Sequence, residues 1–258
     1  MSVLASILAF TTLGGIASAA IAGAVLLLPS ATRERLLPHL VSFATGALLG
    51  AALIGLLPEA LEHAGPGRGA AVGLAVTGGI LLFFILEKLM LWRHSHGGAE
   101  FHDSDALQAH RDKASAMVVL LGDGIHNALD GVLIAAAFMT SMQLGVVTGI
   151  AVIVHEIPQE TGSFAVLLNA GISRGYALLL NLASSLTSIL GGAIAYYALG
   201  EALGVLPYAV AIAAASLLYV AMADLIPGLH RRADAAASVA QVVLISLGIA
   251  LIAWIGRD

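Results

Sequence analysis

Four carboxylates and two histidines stand in the middle of two apolar segments, where hydrocarbon would be expected to surround them. The first segment carries Asp123-Gly124-Ile125-His126-Asn127-Ala128-Leu129-Asp130-Gly131, and the second carries His155-Glu156-Ile157-Pro158-Gln159-Glu160. A carboxylate at the centre of a membrane helix costs roughly 2.5–3.5 kcal/mol, and each Leu or Ile returns only about half a kcal/mol. Asp123, Asp130, Glu156 and Glu160 together would therefore cost on the order of 10 kcal/mol if they faced lipid. They need a partner, and a dication is the one their chemistry suits.

The spacing agrees. On a helix, positions 123, 126, 127 and 130 fall within an arc of about 100°, so one face presents Asp, His, Asn and Asp. In the second segment His155 and Gln159 lie four apart, as do Glu156 and Glu160, giving two neighbouring stripes. Imidazole with carboxylate is the ligand set of borderline dications such as Zn²⁺, and amide or carbonyl oxygens also suit Mn²⁺ and Fe²⁺. These ligands do not choose among Zn²⁺, Fe²⁺, Mn²⁺ and Cd²⁺; zinc leads as the expected cargo. Protonation of His126 or His155 would compete with metal, so uptake should fall at acidic pH. Pro158 cannot donate to the carbonyl of Val154, so a bend and a free backbone oxygen are expected there. Gly124, Gly131 and Gly162 would let helices approach closely.

The elements that must position these residues follow from composition. Of 258 residues, 59% are hydrophobic and only 10% charged, against about 25% charged in soluble chains. The mean hydropathy is +0.97. This excludes a soluble globular protein and implies an all-α integral membrane protein. There is no cysteine, so neither disulfides nor thiolate metal sites contribute. Eight stretches are long enough to span, at about 20 apolar residues each: 3–28, 37–61, 69–91, 114–140, 145–171, 175–199, 204–226 and 235–256. The first lacks a basic leading region and reads as a span rather than a cleaved signal peptide.

Nine of the eleven Lys and Arg fall in or beside the breaks after odd-numbered spans, leaving only Arg68 and Arg257 on the other side. The positive-inside rule then puts both termini outside, and the expected location is a prokaryotic cytoplasmic membrane. Spans 4 and 5 run in opposite senses, so their central residues meet at similar depth. The long break 93–113 reads as a cytoplasmic loop with His94, His96, His102, His110, Glu100, Asp103 and Asp105. It would either hold metal loosely at the mouth or serve as a solvated linker.

Span 2 ends Leu57-Pro58-Glu59-Ala60-Leu61-Glu62-His63 and span 7 ends Ile226-Pro227-Gly228-Leu229-His230. These spans run in opposite senses, as an inverted repeat of spans 1–3 and 6–8 would require. Other polar residues keep two readings. Asp123 is an exit-path ligand or a packing residue. Glu59, Glu62 and His63 attract cations or cap a solvated helix end. Asp224 pairs with Arg231 or Arg232, or lines a pathway. Trp92 and Trp254 read as interfacial anchors.

At these residues the chain resembles the ZIP family of divalent metal transporters, and within it the subfamily with a His-Glu-x-Pro motif. The match rests on His126-Asn127-Ala128-Leu129-Asp130-Gly131 and on His155-Glu156-Ile157-Pro158-Gln159-Glu160-Thr161-Gly162. Supporting it are Phe83-Phe84-Ile85-Leu86-Glu87-Lys88, Leu-Leu-Pro-Glu in span 2, Asn181 with Ser184-Ser185, and Tyr219-Val220-Ala221 with Asp224. The resemblance implies one transmembrane domain over 1–258, eight helices in a 3+2+3 arrangement and a two-metal site between spans 4 and 5. Carried over, His126, Asp130, His155 and Gln159 form the principal site, and Asn127, Glu156 and Gln159 the adjoining one. It further implies metal movement toward the cytoplasm by an elevator-type sliding of one bundle against a scaffold that dimerises. Gln159 stands where many relatives have His or Glu, Ala51 and Gly55 where they often have Asp and His, and Ser163 where they usually have Asp.

Expected partners are divalent metal ions, membrane lipid and a second copy in a homodimer, with no nucleic acid. An intramembrane metallohydrolase is the competing class, because His155-Glu156-x-x-Gln159 is similar to the His-Glu-x-x-His zinc helix. Gln159 occupies the second histidine's place, so the catalytic pattern fails and no enzyme is expected. A metal sensor without transport remains an alternative, although it has no need of polar groups spread along two helices.

Overall fold

The computed structural model of the chain describes residues 2–95, 105–231 and 235–257, with side chains outside 90–115 and 236. Eight continuous helices account for nearly all of it: α1 (Val3–Leu26), α2 (Ser30–Ala64), α3 (Gly69–Ser95), α4 (Asp105–Thr140), α5 (Met142–Asn169), α6 (Arg174–Gly200), α7 (Leu203–His230) and α8 (Ala235–Ile255). Seven helices among the described residues are long and apolar enough to cross a membrane, α5 being the exception. At 28 residues α5 has the length; its His155, Glu156, Gln159 and Glu160 lower its apolarity. The protein is an all-α integral membrane protein.

Several helices outrun the apolar stretches seen in the sequence. α2 begins at Ser30, so Arg33 and Arg35 ride on a helical end rather than in a loop. α3 continues past Arg93 to Ser95 and α4 begins at Asp105, so both flanks of the expected 93–113 loop are helical. Hydropathy reports where lipid could surround a helix, whereas the backbone ladder continues wherever nothing stops it. Of the residues singled out there, His96, Glu100, His102 and Asp103 lie outside the described residues, as do the side chains of His94, Asp105 and His110.

The junction of α4 and α5 matters most for the site. One residue, Ser141, interrupts the helices with extended backbone (φ −153°, ψ 152°), and its hydroxyl accepts from Leu144 N at 3.1 Å, capping α5. So tight a turn forces the helices antiparallel and sets their register. His126 lies fifteen residues before Ser141 and His155 fourteen after it, or about 22 Å and 21 Å along the axes. The two histidines must share one level. Asp123 falls one turn farther, level with Gln159 and Glu160. At the far end of α5, Gly171 takes φ +75°, a conformation that stops the helix.

The helices sort into two groups. α1, α4, α5 and α6 pack on one another, most extensively α4 on α6. α2, α3, α7 and α8 form the second group, through the pairs α2–α8, α3–α7 and α2–α7, and α2 also packs along α5, joining the two groups. Glycines permit the closest approaches. A Cβ on Gly131 would collide with the Ser188 carbonyl, one on Gly191 with the Ala128 carbonyl, and one on Gly248 with the Phe43 carbonyl. Gly124 and Gly162 do not share this role, since a Cβ there meets ordinary contacts or open space. The likeness between spans 2 and 7 extends to the backbone. Each carries a six-residue π-helical segment, Ala51–Leu56 and Val220–Leu225, and then a proline two residues later. The residues four before Pro58 and Pro227 are Ile54 and Ala223, both inside those segments. A proline ring clashes with that carbonyl in a regular helix, and the wider turn relieves the clash.

Candidate metal site between two antiparallel helices

The shared level of α4 and α5 brings four side chains to one point. His126 Nε2 lies 3.3 Å from His155 Nε2, 3.5 Å from Asp130 Oδ2 and 3.5 Å from Glu156 Oε1. His155 Nε2 lies 3.3 Å from Asp130 Oδ2 and 3.4 Å from Glu156 Oε1. All four ligand atoms fall within 4.8 Å of one another, a group that could hold a metal ion. Four donors placed 2.0–2.1 Å from a Zn²⁺ stand about 3.3–3.4 Å apart at the corners of a tetrahedron. The five distances above match that figure, and the sixth edge, Asp130 to Glu156, lies within 4.8 Å.

Hydrogen bonding points the same way. Asp130 and Glu156 are each 1% exposed, and none of their four carboxylate oxygens makes a hydrogen bond. They face imidazole nitrogens at ion-pair distance without the geometry of a donor and its acceptor. Groups this buried are ordinarily paired; these are aimed at a common point between them. His155 Nδ1 lies 3.2 Å from the Ala151 carbonyl oxygen, which only accepts, so Nδ1 carries the ring proton and Nε2 offers its lone pair.

Beside this group is a second one, built differently. The Asn127 amide lies 3.4 Å from Asp123 Oδ2 and 3.3 Å from Glu160 Oε1. Ser163 donates to Asp123 Oδ1 at 2.9 Å, Ser184 to Asp123 Oδ2 at 2.5 Å, and Ser185 to Glu160 Oε1 at 3.0 Å. All of it is buried, and among the described residues no Lys or Arg pairs with any of the four carboxylates.

Gln159 belongs to neither group by hydrogen bond. It lines a cavity of about 380 Å³ between the two helix groups, with Asp123, His126 and Ser163 along one wall and Glu87, Tyr219 and Asp224 along the other. Tyr219 donates a hydrogen bond to Glu87, tying α7 to α3. Asp224 therefore borders the cavity; Arg232, one of its two expected partners, lies outside the described residues. At the opposite end of α2, His63 sits 3.7 Å from Glu59 on a partly exposed helix end.

The eight residues singled out from sequence thus divide three ways. His126, Asp130, His155 and Glu156 converge; Asp123, Asn127 and Glu160 form the neighbouring group; Gln159 faces the cavity. Glu156 stands fourth in the convergent set, where the carried-over pattern has Gln159. The serines of α6 gained no role from local reading. Their signal was present, because Asn181, Ser184, Ser185 and Ser188 fall on one helical face of an otherwise apolar segment and are all buried.

Comparison with known proteins adds an independent line. The family model of the ZIP zinc transporters matches residues 2–256. Zinc transporter ZIP13 of Pongo abelii is 34% identical over 229 residues, covering 83% of this chain and 65% of the relative. Zinc transporter ZIP4 of Mus musculus is 34% identical over 256 residues, covering 75% and 38%. Zinc transporter ZIP13 of Homo sapiens is 32% identical over 255 residues, covering 83% and 69%. The chain therefore spans less than two thirds of the length of the first two of these relatives.

Proposed function

This chain belongs to the ZIP zinc transporter family, a family of transporters rather than enzymes, and from that premise we propose that it carries divalent metal ions, zinc foremost, across a membrane toward the cytoplasm. The observation that carries the reading is the convergence of His126, Asp130, His155 and Glu156 partway along α4 and α5, with unpartnered carboxylate oxygens turned to one point. Two carboxylates balance a dication's charge, and two imidazoles give it borderline-soft donors. Fe²⁺, Mn²⁺ and Cd²⁺ accept the same set and would compete. Asn127 and Gln159 stand beside the site as neutral oxygen donors, suited to an ion that must leave again.

In this reading α5 is the eighth crossing, the chain forms one transmembrane domain, and both termini face away from the cytoplasm. A prokaryotic cytoplasmic membrane is the setting proposed, with the 93–113 segment at the inner mouth. The group α1, α4, α5 and α6 carries the ion and slides against α2, α3, α7 and α8, the second group providing a scaffold through which two copies pair. Packing concentrated within each group supports a rigid-body motion, with the α2–α5 contact as the surface along which the groups would slide.

The test is dication uptake into proteoliposomes. Wild type should accumulate Zn²⁺, and His126→Ala and Glu156→Ala should each lower the rate by about tenfold or more, as expected for loss of a ligand. Unchanged flux in both variants would remove the site.

A further inference from the structure

We infer that Asp123 and Glu160, with Asn127, Ser163, Ser184 and Ser185, form a second cation station made of oxygen donors alone, through which the ion passes between the tetrahedral group and the cavity. The inference rests on reading the tetrahedral group as the cargo site, and it shares only Asn127 with the adjoining site that the family resemblance implies.

Charge is the first argument. Asp123 is 4% exposed and Glu160 fully buried, and only neutral groups touch them. Two buried carboxylates without a cation are costly, and hydroxyls offset the cost only in part. The Asn127 amide occupies the place between them where positive charge is wanted. Its contacts with the two carboxylates, 3.3 and 3.4 Å, exceed the usual 2.7–3.2 Å of an N–H···O bond, and its one bond of ordinary length, 3.1 Å, goes to the Asp123 backbone carbonyl. Turning the amide about its last bond would offer the oxygen instead, giving up the bond to the Asp123 carbonyl in exchange for the ion.

The second argument is an unused ligand atom. Glu160 Oε1 receives Asn127 and Ser185, while Glu160 Oε2 is buried with no partner. Serine hydroxyls can donate to a carboxylate or, rotated, present oxygen to a cation. The full set is therefore oxygen only, the hard donor type that suits a borderline dication less well than a set with imidazole.

Position supplies the third. Asp123 and Ser163 line the cavity as well as the group, and the cavity's opposite wall bears Glu87 and Asp224. An ion leaving His126, Asp130, His155 and Glu156 toward that cavity meets Asp123 one helical turn on. Two stations of different donor chemistry in series let the first hold and the second release.

The probe is ¹¹³Cd²⁺ bound to the purified full chain in detergent micelles, read by ¹¹³Cd NMR and by bound ions per chain. Wild type should bind two ions, one with a nitrogen-ligand shift and one in the oxygen-only range. Asp123→Asn with Glu160→Gln should lose the oxygen-only signal and keep the other; His126→Ala with His155→Ala should do the reverse. Ser184→Ala, a milder change, should weaken the second ion by about five- to tenfold, as for one lost hydrogen bond. A single nitrogen-ligated ion, unchanged in the Asp123/Glu160 variant, would overturn the second station and leave the cargo site standing. An oxygen-only ion with no nitrogen-ligated one would overturn the cargo site instead, and absence of both would overturn the two together.

Discussion

Glu156 and Gln159 separate two accounts of the same helix. Both lie on α5 within one turn, and family likeness carries Gln159 into the principal site. In the folded chain Glu156 reaches the histidines while Gln159 lines the cavity. A buried carboxylate that balances half a dication's charge should matter more than a neutral amide at the margin. We expect Glu156→Gln to weaken Zn²⁺ binding by about tenfold or more, and Gln159→Ala to change it by less than about threefold, a factor worth under 1 kcal/mol. Titration of both variants by calorimetry decides; equal losses would restore Gln159 to the ligand set. At this scale the residue types were legible from sequence, since polar side chains in apolar segments announce themselves. Which of them meet was not, because neighbours one turn apart on a helix point into different surroundings.

α4 is held by what its glycine allows. Gly131 lies one residue beyond Asp130, and its missing side chain lets α4 touch the Ser188 carbonyl of α6. That contact holds Asp130 near the histidines while Ser184 and Ser185, one turn along α6, reach Asp123 and Glu160. Gly131→Ala should lower the unfolding free energy by roughly 1–3 kcal/mol through overpacking, with impaired transport. Gly162→Ala, where nothing lies within 4 Å, should leave the unfolding midpoint unchanged or raise it slightly through better helix propensity. Thermal unfolding of the two purified variants makes the comparison, and similar destabilisation in both would mean that close approach is not what Gly131 provides. Sequence presents Gly124, Gly131 and Gly162 as equals. Only the packing partner distinguishes them.

Across the whole molecule, the cavity lies where the two helix groups meet, with Asp123 and His126 on one side and Glu87 and Asp224 on the other. If the groups slide, joining them should stop transport. The chain has no cysteine, so an engineered pair reacts alone. A Cβ on Gly55 of α2 would lie 3.4 Å from the Val147 side chain of α5, within reach of a bridge. The double variant Gly55→Cys, Val147→Cys should transport when reduced, lose at least about nine tenths of its flux when oxidised, and recover on reduction, as gating by rigid-body motion requires. Undiminished flux in the oxidised, cross-linked protein would rule out sliding between α2 and α5.

Composition and periodicity alone settled that this chain lives in a membrane, and they placed its candidate metal ligands on two successive helices. Both conclusions depend on local quantities: the transfer cost of each side chain and the angle between residues three or four apart. The antiparallel meeting of His126 with His155 was nearly as local, since one non-helical residue at Ser141 sets the register. The clothing of Asp123 and Glu160 was decided elsewhere. Ser184 lies 61 residues from Asp123 along the chain, and nothing in either segment states that α6 will turn its small polar face to them. That choice was left to tertiary packing, in which glycine contacts between helices determine which polar surfaces face one another, and so which oxygens an ion could meet.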